Sequence, residues 1–351
     1  GLGVDARGPK TLETLDTTLA RSLQSLHISQ PIAVALSGGP DSSALALAMD
    51  RWCRHHDHAL YLFHIHHGLS ESADAWQTQA QSLAEHLGRP MIVRRVDVDL
   101  QSGLGLEAAA RQARYDAIHD IARANGVQTV VLGHHQQDQA ETVLMRLFRG
   151  AGVQGLAAMA GRRRERGLDW VRPWLDVPRQ DILDYLAVFT NRTGWLPVDD
   201  PSNADDRLAR GTLRSQVIPA IESHWPAWRL TLVRHAKQSA QASRLLERYG
   251  QRLLREIQVQ DDEGVQADAS LSASVLSLAK WREFVADEQV LVLRTWLSQA
   301  GMQMPTDKRL NELVRQLNGV HALGHDRALK WTQRDCEVRC IRGQLHLQAT
   351  L

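Results

Sequence analysis

Ser37-Gly38-Gly39-Pro40-Asp41-Ser42-Ser43 is the stretch whose reading decides the fold. The apolar run Pro31-Ile32-Ala33-Val34-Ala35-Leu36 before it reads as a buried strand, and the Ala- and Leu-rich run from Ala44 to Trp52 after it reads as a helix. A glycine-rich turn between strand and helix suits an anion. Gly38 and Gly39 carry no Cβ, so a phosphate can approach the amide groups that converge at the helix N-terminus. Asp41 is out of place in a pure anion cradle, and fits if Mg²⁺ sits between its carboxylate and phosphate oxygens. No Lys follows the glycines, which excludes the GxxxxGK[ST] loop of ordinary ATPases and GTPases. The same seven residues also suit a plain strand-to-helix turn with Ser or Asp as N-cap.

Outward from the loop, the pattern repeats. Leu12, Leu15, Leu19, Leu23 and Leu26 give Thr11 to Leu26 the spacing of an amphipathic helix ahead of the first strand. Further buried strands are expected over 59–65, 91–98 and 127–132, with helices ending near Leu87 and spanning Leu106 to about Asn125. Strands alternating with helices imply an α/β, Rossmann-like parallel sheet with helices on both faces. In such sheets ligands bind beyond the carboxyl ends of the strands. The loop at 37–43, the histidines at 64–67 and His134-His135 all fall at such ends, so three clusters distant in sequence converge on one edge.

Composition narrows the class. A chain of 351 residues is long enough for two domains, and 41 basic against 40 acidic residues leave nucleic-acid contact to a local patch. Cys53, Cys336 and Cys340 form neither a CxxC pair nor an even framework, which points to a reducing compartment and a cytoplasmic protein and away from a zinc ribbon or iron–sulfur site. No apolar run reaches the roughly 18 residues that span a bilayer, and the start lacks a signal-peptide layout. A membrane role is therefore not expected.

The clusters admit more than one chemistry. His64, His66 and His67 suit a metal, a polar strand end, or a base or ribose. Asp138 and Glu141, three apart, share a helix face; they suit the helix dipole, or, pointing into a phosphate-binding crevice, Mg²⁺ or an ammonium ligand. Arg111 and Arg114 share a face beside Tyr115, as a solvated surface or as ligands of phosphate or a base edge.

The loop pattern SGGxDS resembles the PP-loop of the N-type ATP pyrophosphatases, which cut ATP between the α and β phosphates and adenylate a substrate. With it, HIHHGLS (64–70) followed by Ala73-Asp74, GLEAAARQARY (105–115), GHHQQDQAETVLMRLFRGAGVQGLAAM (133–159), RPWLDVPRQDI (172–182) and WLPVDDPSN (195–203), then Arg210 and Arg214, resemble the tRNA(Ile)-lysidine synthetases. The matches run in order over about 37–219. Where that family usually shows Arg-Asn-x-[LI]-Arg, this chain has Arg210-Gly211-Thr212-Leu213-Arg214.

The resemblance implies a ligase that uses ATP and Mg²⁺ to adenylate the C2 oxygen of the wobble cytidine of an isoleucine tRNA with a CAU anticodon. The ε-amine of free lysine then displaces AMP. Lysidine, AMP and pyrophosphate result, and codon reading changes from AUG to AUA. It implies that Ser37, Gly38, Gly39, Ser42 and Ser43 hold the ATP phosphates, that Asp41 holds Mg²⁺, and that His66 lies where adenosine docks. Asp138 and Glu141 would bind lysine, and Arg114 and Arg210, with Arg111 nearby, would meet the cytidine or its adenylate.

Pro197 and Pro201 mark a break, and residues 1–220 are read as the catalytic domain and 221–351 as a smaller, mainly helical tRNA-binding domain. From Arg207 to Glu256 ten Arg or Lys stand against three Glu, an excess suited to RNA phosphates. Helical spacing is expected over 228–254, 274–297 and 308–317. The alternation on either side of Arg342-Gly343 reads as a closing hairpin. Longer relatives carry a further C-terminal domain that this chain is expected to lack. Two other functions compete: a tRNA 2-thiolating PP-loop enzyme, for which one cysteine in the first domain is a poor fit, and a non-catalytic, nucleotide-responsive RNA-binding protein.

Overall fold

A computed structural model describes residues 8–24, 26, 28, 31–66, 73–96, 106–198, 209–259, 274–320, 329–333 and 336–349. The chain divides into two compact units, 1–240 and 241–351.

In the first unit α1 (Gly8–Gln24) leads into β1 (Ile32–Ala35), α2 (Pro40–His55), β2 (Leu60–His66), α3 (Ala73–Leu87), β3 (Met91–Arg95), α4 (Leu106–Ala124) and β4 (Thr129–Val131). Then come α5 (Gln136–Phe148), a short α6 (Val153–Leu156), β5 (Arg162–Glu165), β6 (Leu168–Val171) and α7 (Arg179–Thr193). After α8 (Ala209–Thr212), one π turn (Leu213–Val217) and α9 (Ile218–His224), α10 (Trp228–Ile257) runs across the division.

Six strands form one sheet in the order β3-β2-β1-β4-β6-β5. β1 lies parallel between β2 and β4, with Ile32 opposite both Leu60 and Thr129. Successive strand residues feed opposite faces, which is why the run is apolar throughout. Ile32 and Val34 join Leu15, Leu19, Met49, Trp174 and Tyr185 under α1, α2 and α7. Ala33 joins Phe63, Ile118, Ile121 and Trp170 under α4. The parallel sheet covered on both faces is as the alternation of elements required.

Beyond the four strands legible in the sequence the sheet has two more. β6 is parallel to β4, and β5 returns antiparallel to it through a turn in which Arg166 and Gly167 take φ of 49° and 81°. β5 is polar because it is an edge strand, paired on one side only.

The second unit packs the C-terminal part of α10, α11 (Leu278–Arg282), α12 (Ala286–Gln299) and α13 (Asp307–Gly319) with a four-stranded antiparallel sheet. Its strands are β7 (Leu276–Ser277), β8 (Leu329–Thr332), β9 (Cys336–Ile341) and β10 (Gln344–Ala349), in the order β7-β10-β9-β8. The expected closing hairpin is β9–β10, its turn again Arg-Gly at positive φ, 51° and 76°. The helix expected over 274–297 is broken, because Ser277 ends β7 and its hydroxyl caps α11 by accepting the Lys280 amide at 3.4 Å. Trp281, Trp296, Leu293, Leu313 and Val338 form this unit's core. Among the described residues no helix is long and apolar enough to cross a membrane.

Candidate active site

The loop after β1 is held by its serines. Ser42 Oγ accepts the Ser37 amide at 3.0 Å and lies 2.9 Å from Ser37 Oγ, while Ser37 Oγ accepts the Gly39 amide at 3.3 Å. The residue capping α2 is Gly39, with no side-chain cap, so the loop is not an ordinary Ser- or Asp-capped turn. Gly38 sits at φ +93°, and a Cβ there would stand 3.1 Å from the Trp76 carbonyl on α3.

Gly133 joins the loop to the end of β4. A Cβ on it would lie 3.2 Å from the Asp41 carbonyl and 3.3 Å from Ser42 Cα, both backbone atoms that cannot swing away. Gly133→Ala is expected to leave the chain folded while pushing α2's first turn outward, raising KM for ATP about tenfold or more, since small displacements in a reacting geometry are costly. Steady-state kinetics with varied ATP checks this; an unchanged KM contradicts the close approach.

Asp41, in the first turn of α2, accepts from Arg179 Nε at 3.2 Å and lies 3.6 Å from His135 Nε2. Burial alone would raise its pKa, but His135 and Arg179 together outweigh it and hold the carboxyl below its usual value. The same Nε2 also lies 3.4 Å from Asp138 Oδ2. His135 also opens α5, and Asp138 closes a capping box by accepting the His135 amide at 3.0 Å.

One turn on, Glu141 is fully buried and held bidentately by Arg214 at 2.8 and 3.0 Å, with Gln137 at 2.9 Å and Arg210 Nε at 3.4 Å. Arg210 and Arg214, four apart across the start of the π turn, both reach this one carboxylate with Gly211 buried between them. Burial works against the Arg214 charge, but Glu141 and then Asp138 and Asp41 raise its pKa above the usual arginine value. Asp41, Asp138 and Glu141 thus face one corner of the site.

A second corner is cationic. Arg111, Arg114, Arg172 and Arg210 lie near His134, whose shielded Nδ1 has no hydrogen-bond partner among the described residues. Burial first, then those four charges, push its pKa well below the usual histidine value, so the imidazole is neutral at pH 7. Arg114 forms, among the described residues, neither a hydrogen bond nor an ion pair; desolvation of its guanidinium lowers its pKa, with Arg111 and Arg210 adding to it and Tyr115 opposing.

His64 and His66 end β2. His64 is buried with Nδ1 2.8 Å from the Leu36 carbonyl, and His66 Nε2 lies 2.9 Å from Asp74 on α3. Among the described residues no three His, Cys, Asp or Glu side chains group as a metal site. His67, Pro201, Arg207 and residues 199–203 lie outside the described residues. The structure places Ser37 to Ser43, Asp138, Glu141, Arg114 and Arg210 near the carboxyl edge of the sheet. It adds Arg179, Arg172 and the separate settings of His134 and His135, to which the motif spelling alone assigns no role.

A PP-loop domain model matches residues 12–221, and a TilS substrate binding domain model matches residues 276–346. The chain is 44% identical over 319 residues to the tRNA(Ile)-lysidine synthase of Bordetella parapertussis, covering 90% of this chain and 88% of that protein. It is 39% identical to that of Ralstonia nicotianae (91% and 64% covered) and 32% identical to that of Coxiella burnetii (95% and 69%). Among solved structures, the U34-tRNA thiolase NcsA from Methanococcus maripaludis shares the fold, with TM-score 0.54 at 15% identity over 65% of this chain and 78% of that one. With two domain models in order and identity of this level along nine-tenths of its length, the chain belongs to the tRNA(Ile)-lysidine synthase family of ligases.

Proposed function

We propose that this protein adenylates the C2 oxygen of the wobble cytidine in the CAU-anticodon isoleucine tRNA and joins lysine to that carbon, releasing pyrophosphate and then AMP. Reading of AUA in place of AUG follows. The observation that carries the reading is the division of one sheet edge into a phosphate loop bearing an ionised Asp41, an acidic corner and a cationic corner.

Each corner suits one reactant. The Ser37–Ser43 loop takes the ATP phosphates on its amides and at the α2 N-terminus. Asp41 suits Mg²⁺, a hard cation that one or two carboxylates hold while phosphate and water complete its shell. When bound, the ion neutralises the leaving pyrophosphate. His66 and its neighbours face the adenosine. Asp138 and Glu141 draw the lysine ammonium; Asp138 is the more open of the two, and Arg214 fills the cationic role on Glu141. Lysine has a reference pKa of about 10.4, so only about one amine in 10³ is free at neutral pH, and a carboxylate or phosphate oxygen must take its proton. Arg114 and Arg210, beside a neutral His134, offset the charge of the adenylate. Residues 1–220 carry this chemistry, and 221–351 grip the tRNA.

Sulfur transfer to the same carbonyl fits less well. Cys53 is buried in the α2 core with its thiol pushed up to about 12 by burial, and Cys336 and Cys340 are buried in the second unit. Three unpaired thiols suit a cytoplasmic setting. Purified protein given ATP, lysine and the CAU-anticodon tRNA is expected to incorporate lysine and release AMP. ADP as product would remove the PP-loop assignment, and RNA binding without AMP would leave a non-catalytic binder.

A further inference from the structure

We propose that the edge strand β5, with Arg163 as its outermost contact, is a docking rail for the RNA backbone adjoining the target nucleotide. The proposal rests on the RNA substrate proposed above and assigns that substrate a surface outside the motif residues.

β5 enters the site edge directly. It runs antiparallel to β6, so Arg162 stands opposite Val171, one residue before Arg172 of the cationic corner. Its alternating side chains divide the work. Arg162 and Arg164 turn to one face and share the single carboxylate of Asp169, at 3.0 and 2.8 Å. Arg163 turns to the other face, opposite Trp170, whose ring packs on Tyr115 of α4 at 4.8 Å. Its side chain is 61% exposed, and its acidic partner Glu165, at 3.2 Å, is 40% exposed. Such a solvated pair contributes little and exchanges readily for phosphate.

Behind Arg163 lies a row of arginines held by neutral acceptors. Arg146 donates to the carbonyls of Gly155 and Ala158 at 2.8 and 2.9 Å. Arg172 donates to the Ala160 carbonyl at 3.1 Å, and both Arg172 and Arg111 donate to the Tyr115 hydroxyl, at 3.3 and 3.2 Å. Among the described residues none of Arg111, Arg114, Arg146 or Arg172 forms an ion pair with a carboxylate. Arg163 belongs to the same field, since Arg111, Arg163 and Arg172 all act, after burial, to disfavour the charge on Arg146. Arg163 on the rim, Arg111 and Arg172 are thus all near Arg146, and Arg111, Arg172 and Arg114 are near His134. Guanidinium groups that, among the described residues, have no carboxylate partner, reached from a solvated rim, match a polyanion threading inward, and an RNA strand is the polyanion this reaction requires.

The test compares Arg163→Glu and Arg163→Lys with the wild-type chain. Binding of an unmodified CAU-anticodon tRNA transcript is measured between about 50 and 200 mM salt, alongside lysidine formation. R163E is expected to weaken tRNA binding about tenfold and to make the slope of log K against log salt shallower by about 1. KM for tRNA rises, while kcat and the KM values for ATP and lysine stay as in the wild type. R163K stays within about twofold in binding, because a phosphate contact needs charge more than fork geometry. An R163E protein that binds with wild-type affinity and slope while the wild type makes lysidine overturns the rail alone. A wild type that binds tRNA salt-sensitively through Arg163 yet makes no lysidine overturns the proposed function and leaves the rail standing. Tighter binding of polyglutamate than of tRNA at equal salt would reject RNA as the occupant.

Discussion

Asp41→Asn is expected to abolish AMP release, with a loss of about 10²–10³-fold, the scale on which one electrostatic contact to a reacting group acts. The side chain sits at the mouth of the phosphate loop, ionised, between Arg179 and His135. Asn keeps the shape but supplies no charge for the proposed Mg²⁺. The cost to folding is modest, about 1–2 kcal/mol, because a partly exposed charge-assisted contact is lost. The pH dependence separates the two effects. The folded pKa of Asp41 is depressed, so its stabilising contribution is fully present above the unfolded value near about 3.9 and is lost only as pH falls through the folded value. Between about pH 5 and 8 the D41N deficit is therefore constant. Rapid-quench measurement of AMP checks it; near-normal adenylation by D41N removes Asp41 from the metal-binding role.

Asp138→Asn and Glu141→Ala, three residues apart, are expected to behave differently. Glu141 is fully buried beneath Arg210 and Arg214, and deleting it takes the nearest carboxylate from both guanidinium groups, Arg214 keeping Asp138 at 3.7 Å and Arg210 the Thr142 hydroxyl at 3.5 Å. Breaking a buried pair costs about 3–5 kcal/mol, a fall in Tm on the order of 10 °C for a unit of this size. E141A thus loses activity largely through stability and through misplacement of Arg210. Asp138 acts locally: its Oδ2 accepts the His135 amide, which an Asn oxygen still does. D138N is expected to keep its Tm within a few degrees while KM for lysine rises at least about tenfold, the expected loss of one ammonium contact. Thermal unfolding beside lysine-dependent kinetics distinguishes them, and an unchanged lysine KM in D138N excludes that carboxylate from the amine site.

These contrasts show what the residues disclose unaided. The run 31–52 is legible because an apolar strand, a glycine turn and an Ala/Leu helix agree at every level. β5 and β6 are not, although their turn is the same Arg-Gly pair that closes β9–β10. Around Arg342-Gly343 apolar residues alternate, whereas Arg162–Glu165 is wholly charged, and only edge position makes such a strand tolerable. The paired acids were legible as a helix face. Their inequality was not, because it comes from Arg210 and Arg214, about seventy residues downstream. Arg179 beside Asp41 is likewise a partnership across 138 positions that no local pattern encodes. Two adjacent histidines look alike in sequence, yet one caps a helix between two acids and the other sits neutral among arginines.

The central claim is that the C2 oxygen of cytidine itself attacks the α-phosphate and leaves with AMP. A tRNA substrate carrying ¹⁸O at that position tests it in one turnover with ATP and lysine. The account predicts pyrophosphate together with AMP whose phosphate holds the label, in a one-to-one ratio with lysidine formed. Unlabelled AMP, or label released into water or inorganic phosphate, would contradict it.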